Sequence, residues 1–396
     1  MGQTITIKEL NMKAEKTRLE LLAIVLVLMG GLILLGCLNP SGSSGSSSGS
    51  TNPGGTKPGG TDPGGNDPGG TNPGSTDPGV LNPSTPSSFN VSNATEWNNA
   101  FSAINSDKTN KSYTINIIND FSLPGNSYAI NRSDITLTIQ GNKTISLSSG
   151  GHLISIYNDK NFILQDVTLK GMSNNEYYLV EIFSSGQLTM QGNSSICNNY
   201  GGGVEIHHGT FIMNGGAISG NSGGYGGGVY VNDGTFTMNG GTISGNNSLI
   251  NGGGVGLYFG STFTMNGGTI FGNTAKEGYG GGVYLATGSF TMKGGTITNN
   301  IATAPDSGIS GGGGVVITTG SFSKTGGTIT GYASDPINGN VAKYDSGVLV
   351  NDHGHAVYCS TKTGTGFSIK RKETTAGPGD NLYYNNDGTF GGAWDY

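Results

Sequence analysis

Between residues 201 and 332, apolar and polar positions alternate in short bursts, and the bursts return five times. Val229 and Val231 flank Tyr230, Phe236 and Met238 flank Thr237, and Ile243 stands between Thr242 and Ser244. Alternation with period two marks strands with one buried face, and the Gly, Asn and Asp between bursts are turn residues. No unit has apolar residues at i, i+3, i+4 and i+7, so a helical repeat is excluded. The units begin at Gly201, Gly226, Gly252, Gly280 and Gly312, which spaces them 25, 26, 28 and 32 residues apart. Repetition on that scale is the signature of a solenoid, in which each unit buries its apolar face only against its neighbours. Three short strands per unit predict one coil of a parallel β-helix.

Stacking the units gives columns. Val204, Val229, Val255, Val283 and Val315 form one, and Phe211, Phe236, Phe263, Phe290 and Phe322 another. Met213, Met238, Met265 and Met292 form a third, which Lys324 breaks, and Ile218, Ile243, Ile270, Ile297 and Ile329 a fourth. With strands ~4.8 Å apart, like side chains sit on like side chains. Asn221, Asn246, Asn273 and Asn300 end their units, where a stacked amide ladder can satisfy buried polar groups.

These units resemble those of right-handed parallel β-helix proteins of the pectate-lyase-like superfamily. Within it they are most similar to the repeats of bacterial polymorphic outer-membrane proteins, which pair Gly-Gly-apolar-apolar with a nearby Phe/Ile-x-x-Asn. Here Ile218-Ser-Gly-Asn221 precedes Gly226-Gly-Gly-Val229-Tyr230, and Ile243-Ser-Gly-Asn246 precedes Gly252-Gly-Gly-Val255. The match departs in having Gly-Gly-Gly-Val for Gly-Gly-Ala-Ile, and Ile in place of Phe. It covers about a third of the chain. It implies the fold and leaves function open, because one fold hosts many functions.

The rest of the chain divides around this region. Residues 1–36 read as a lipoprotein signal peptide: Lys8, Lys13, Lys16 and Arg18 precede an apolar run from Leu21 to Leu35, too short for a membrane span. Leu34-Leu35-Gly36-Cys37 resembles a bacterial lipobox, which implies lipidation of Cys37 and anchoring in the cell envelope, at the outer membrane or cell surface. Either Met1 or Met12 can start the chain. Residues 37–88 are a tether of Ser/Gly runs and Thr/Asn-x-Pro-Gly-Gly pentads, with nothing apolar to bury. As a flexible coil of about 50 residues it spans ~40 Å.

Residues 89–396 are expected to form one β-helix domain. Within it, 89–111 is the N-terminal cap. Asn93-Ala-Thr-Glu96 resembles a capping box, and Trp97, Ala100, Phe101 and Ile104 recur at helical spacing, which predicts a helix over 94–105. Residues 112–200 read as degenerate coils, 201–332 as regular ones, and Val348–Val350 and Ala356–Tyr358 as their continuation. Residues 366–396 are the C-terminal cap, with Trp394 closing the last coil. The count is ~9–11 coils, a rod of roughly 45–55 Å. Too little chain follows to build a membrane barrel.

Net charge is −6, and removing 1–36 makes it one unit more negative. That opposes nucleic-acid binding, which needs a basic footprint. Lys370-Arg-Lys372 is a lone basic triplet and reads as a solvated cap strand. Cys197 and Cys359 lie several coils apart, too far for a disulfide between them, so two free thiols are expected. No cofactor or metal is expected, and the protein is expected to be monomeric.

Candidate chemistry is sparse. In 201–332 the charged residues are Glu205, Asp233, Lys276, Glu277, Lys293, Asp306 and Lys324, without a carboxylate ladder among them. Paired carboxylates, or clustered Asp with a basic residue, are what polysaccharide-cleaving enzymes require. His207 and His208 point opposite ways if extended, and are poor co-ligands. In Asp352-His353-Gly354-His355 the two histidines share a face if extended. On the outside, Thr235, Thr237, Thr262 and Thr264 form a flat hydroxyl array, which also suits strand packing alone. A second outward column holds Glu205, Tyr230, Gly256, Tyr284 and Val316, in which Tyr230 and Tyr284 offer rings to a sugar or a protein. The expectation is therefore a non-enzymatic surface lipoprotein acting as an adhesin or interaction rod towards a host protein or glycan. The alternatives are a carbohydrate-active enzyme or its inactive polysaccharide-binding relative, and a structural surface coat.

Overall fold

The computed structural model describes residues 87–126, 130–304, 311–350, 355–363, 366–372, 374–385 and 389–395. The signal peptide, Cys37 and the tether lie outside them. The described chain is a parallel β-solenoid of about 8 turns. Three long sheets run its length, with ten, nine and eight strands paired in parallel. The count of complete turns falls below the expected ~9–11, because the terminal strands extend single sheets without closing a coil.

The first sheet carries the Phe and Met columns, the second the Ile column and the third the Val column. In the unit at Gly226 their strands are Thr235–Met238, Thr242–Ser244 and Val229–Asn232. The register is like on like: Phe211 pairs with Phe236, Phe236 with Phe263, and Phe263 with Phe290. The rings stack face to face at centroid distances of 5.0, 4.7 and 4.7 Å. All four apolar columns are buried.

The expected three strands per coil gain a fourth. A short corner sheet of five strands begins at Ser222–Tyr225 and ends at Val341–Tyr344. Its inward column is Gly223, Ser248, Ala275, Ala302 and Ala342. Small residues fill this column because the corner leaves little space, so the segment lacks the apolar alternation that betrays the other strands.

The Asn ladder sits where the second sheet turns into the corner sheet. Asn246 Oδ1 accepts from the Asn221 backbone N–H and from Asn221 Nδ2, both at 3.0 Å. Asn246 Nδ2 donates to Ile218 O at 2.9 Å and Asn273 Oδ1 at 3.0 Å. The pattern continues through Asn273 and Asn300 to Asn340, all fully buried. Asn340 is a further rung that spacing concealed, since it follows Asn300 by 40 residues. Glycine is required beside this turn. A Cβ on Gly227 would lie 2.0 Å from Asn247 O; at the opposite end of the second-sheet strand Gly241 holds φ at 83°, and a Cβ there would lie 2.6 Å from Gly216 O.

Both ends are closed. The helix runs Ala94–Ser106, with Asn93 Oδ1 accepting from Glu96 N and Glu96 accepting from Ser92 N. Its Trp97, Ala100, Phe101 and Ile104 are buried against the first coil. At the other end the pairing turns antiparallel. Gly366–Lys372 pairs with Val357–Thr363, and Leu382–Tyr384 with the strand Ser321–Lys324. Lys324 is fully buried, takes the place of the next Met, and donates from Nζ to Gly377 O at 2.6 Å and Asp380 O at 2.9 Å. Burial lowers its pKa. Trp394 packs on Phe390, its ring edge-on at 5.8 Å.

Two expectations are corrected. Val348–Val350 is not a strand; the corner sheet ends instead on Val341–Tyr344. Lys372 is not solvated, because the cap buries it and pairs it with Asp395 at 2.8 Å. Cys359 is a free buried thiol, as expected, its pKa pushed up to about 12 by burial.

Replacing Asn246 by Ala orphans two donors and a carbonyl in a dry corner. It should cost at least about 2 kcal/mol, whereas Asn239→Ala on the exposed amide row should cost at most about 0.5 kcal/mol. Urea unfolding midpoints of the two variants check this. Equal midpoints would refute the claim that the ladder holds the corner.

Candidate functional site

The outward face of the third sheet is where the repeat gives way to chemistry. Its strands Ile154–Tyr157, Val180–Phe183, Val204–His207, Val229–Asn232 and Val255–Tyr258 alternate inward Val, Ile or Leu with outward polar and aromatic residues. One outward column reads Ser155, Glu181, Glu205, Tyr230, Gly256 and Tyr284. The next reads Tyr157, Phe183, His207, Asn232 and Tyr258.

The rings of the two columns form a continuous strip. Tyr157 to Phe183 is 6.0 Å, Phe183 to His207 5.7 Å, and His207 to Tyr230 6.0 Å between centroids. From there Tyr230 to Tyr258 is 5.4 Å and Tyr258 to Tyr284 5.5 Å. Tyr178 stacks on Tyr230 at 6.0 Å and an interplanar angle of 24°, and Tyr225 closes over both Tyr230 and Tyr258. Beside the strip lies a cleft of about 610 Å³, lined among others by Tyr178, Tyr200, Tyr225, Tyr230, Glu205 and Lys276. Tyr157, Phe183, Tyr200 and Tyr225 are exposed, an apolar patch of the kind that marks an interaction surface.

Two carboxylates stand in the strip. Glu181 and Glu205 are register partners on adjacent strands. The Tyr157 hydroxyl donates to Glu181, and His152 Nε2 lies 3.7 Å from the same carboxylate. His207 Nε2 is 2.6 Å from Glu205 Oε1. Burial, followed by the Glu181 hydrogen bond, pushes the Tyr157 phenol up to about 12. Tyr178, Tyr230 and Tyr258 are likewise raised, mainly by burial, with the Glu205 charge adding to the effect on Tyr178 and Tyr230. The phenols are therefore neutral hydrogen-bond donors at physiological pH.

The expectation of no carboxylate ladder within 201–332 stands, and the stacked pair is completed by Glu181 outside that window. The regular window starts at residue 201 and hides the partner, Glu181, in the degenerate coil before it. The signal was there: Val180-Glu-Ile182 and Val204-Glu-Ile206 are the same tripeptide on successive coils. The exposed-tyrosine expectation holds for Tyr230, which is half-buried and central to the strip. It fails for Tyr284, which is buried with Val316 and Tyr358, covered by Tyr258 and Tyr279. Gly256, next to it in the column, leaves the space into which these rings fold. Thr235, Thr237, Thr262 and Thr264 point outward as expected, but from the first sheet, so they do not share a site with Tyr230.

No family model matches the chain, and no curated protein or solved structure is similar to it. The site's reading rests on its own geometry.

The histidine candidates separate. His207 turns to Glu205, while His208, at φ 57° in the turn, lies 3.2 Å from Asp233. Asp352 and His353 lie outside the described residues. His355 is buried, and its Nδ1 accepts from the Ala342 N–H at 3.0 Å. It is a structural acceptor for the corner strand. Among the described residues, no group of three His, Cys, Asp or Glu could hold a metal ion.

Burial lowers the His355 pKa from 6.5 to about 4. The unfolded chain therefore binds the extra proton first, so stability is full above pH 6.5 and falls as pH drops towards 4. The loss attributable to this group is at most about 3 kcal/mol. In His355→Asn the amide oxygen can accept from Ala342 without titrating. The difference between wild-type and variant stability curves should then slope between pH 6.5 and 4 and be flat above. A flat difference throughout would show that His355 is not held neutral.

Proposed function

We propose that this is a surface interaction protein that takes up carbohydrate along the aromatic strip of the third sheet. The observation that carries it is the strip itself: rings on five successive strands, partly exposed, flanking an open cleft. Flat rings with a polar rim suit the alternating CH faces and hydroxyls of a glycan, and Tyr keeps its shape at low entropic cost. The lipobox-like Cys37 and the Gly/Pro-rich tether support display from a bacterial envelope, with the solenoid as the reaching part.

A second reading, glycan cleavage, is favoured by one observation. Glu181 and Glu205 are stacked on adjacent strands, with the Tyr157 hydroxyl on one and the His207 ring on the other. Paired carboxylates are the equipment of glycoside hydrolysis. The scaffold reading has no observation of its own beyond regularity.

The full-length chain should be tested on a panel of neutral and charged polysaccharides and matrix proteins, with retention and chain length read from the same samples. Retention of a glycan without shortening, reduced about tenfold or more by Tyr230→Ala, is the expected result. Shortening that Glu205→Gln abolishes would replace the binding reading with the cleavage reading. Retention of matrix protein alone would refute carbohydrate as the ligand.

A further inference from the structure

The strip's charge is at odds with its surroundings in the fold. Most stacked columns of the solenoid are apolar, hydroxyl or amide, so each rung tolerates the next. Among the described strands, only here do two carboxylates meet in register, Glu181 on Glu205, with His152 Nε2 3.7 Å from the one and His207 Nε2 2.6 Å from the other, and like charges directly opposite one another on neighbouring strands destabilise a sheet. Both are largely screened from water, with side-chain exposures of 16% and 19%. Glu176 adds a third carboxylate to the lining of the cleft, in which Lys276 is the one lysine.

We propose that the strip selects a positively charged glycan, an amino-sugar chain with free ammonium groups, over neutral and acidic ones. This rests on the reading of the strip as a carbohydrate-binding face. Three features converge on it. Partly buried carboxylates gain a charge-assisted hydrogen bond from an ammonium, which also relieves their mutual repulsion. Tyrosine faces attract a cation through the ring quadrupole, and Tyr178, Tyr225 and Tyr230 line the same cleft as Glu205. A polyuronate would bring its own carboxylates against Glu176, Glu181 and Glu205. A basic peptide could satisfy the charge but not the strip. The strand backbones beneath are already paired on both sides, so no free edge is offered for strand addition. Rings on successive coils instead present one flat face per rung.

The test uses the full-length chain and three hexasaccharides, of glucosamine, N-acetylglucosamine and galacturonate, with oligolysine as a fourth probe. Affinities are measured by calorimetry at low and high salt. The glucosamine hexamer should bind about tenfold tighter than its N-acetylated form, and the advantage should shrink in high salt. Glu181→Gln and Glu205→Gln should each remove most of the advantage of the glucosamine hexamer over its N-acetylated form. Lys276→Ala should strengthen glucosamine binding, which guards against variants that lose binding merely by misfolding. Equal binding of the first two sugars, indifferent to both Gln variants, would overturn the charge selection while leaving the carbohydrate reading intact. Preference for galacturonate would do the same. Binding of oligolysine alone, or of nothing, would overturn both readings.

Discussion

The constraint on which the structure depends is that every rung must fit the rung above it. In a parallel solenoid each peptide group bonds to the neighbouring coils, so a turn that works once must be repeated or the register is lost. The buried amide ladder from Asn221 to Asn340 expresses this most directly. In the middle of the ladder each Asn oxygen accepts from the backbone and side-chain amides of one neighbouring rung, and its NH₂ group bonds to the rung on the other side and to an Ile carbonyl of an adjacent coil. An amide placed in a dry corner would be costly alone; as one of a series it is satisfied on every side. The same logic stacks Phe on Phe within 5 Å and obliges glycine where one coil's corner meets the next.

A structure that grows by repetition needs something other than repetition to stop it. At the start, an amphipathic helix capped by Asn93 lays Trp97 and Phe101 over the first coil. At the end, the chain reverses its pairing from parallel to antiparallel, and the Met column finishes in a lysine. Lys324 is legible only as a defect from sequence. In the fold its aliphatic stem continues the column and its ammonium reaches past it to the carbonyls of Gly377 and Asp380. A further methionine would have had nothing to offer those carbonyls. The substitution thus converts a ladder into a fastening for the cap, and it draws its directionality from a buried donor with two fixed acceptors.

What could be read from sequence follows from the same constraint. Columns of Val, Phe, Met and Ile were legible because each residue is bound to its copies, and so were the strand faces and the capping helix. The corner sheet was not, since Gly223, Ser248 and Ala275 bury no side chain large enough to alternate visibly. Asn340 escaped because an insertion displaced it from the period. The aromatic strip was half legible: Tyr230 was found in its column, but Tyr178 comes from a loop and Tyr225 from the end of a corner strand, and both reach the cleft only through the fold. Glu181 was missed for a simpler reason, that the regular window was drawn one coil too short.

Regularity and function pull apart in this fold, and the difference between two of its faces makes the point. On the first sheet, Thr235, Thr262 and Ser289 stack as small hydroxyls, a column that serves strand packing and asks for no ligand. On the third sheet the corresponding outward column is irregular, running from Ser155 to Glu181, Glu205, Tyr230 and Gly256. A solenoid gains nothing from such variety, and it loses stability from stacking Glu on Glu. Local rules of a repeat are most often broken at functional positions, and here they are broken on a surface that the fold does not need. By that argument the outward face of the third sheet, and not the more uniform threonine face, is where we propose recognition.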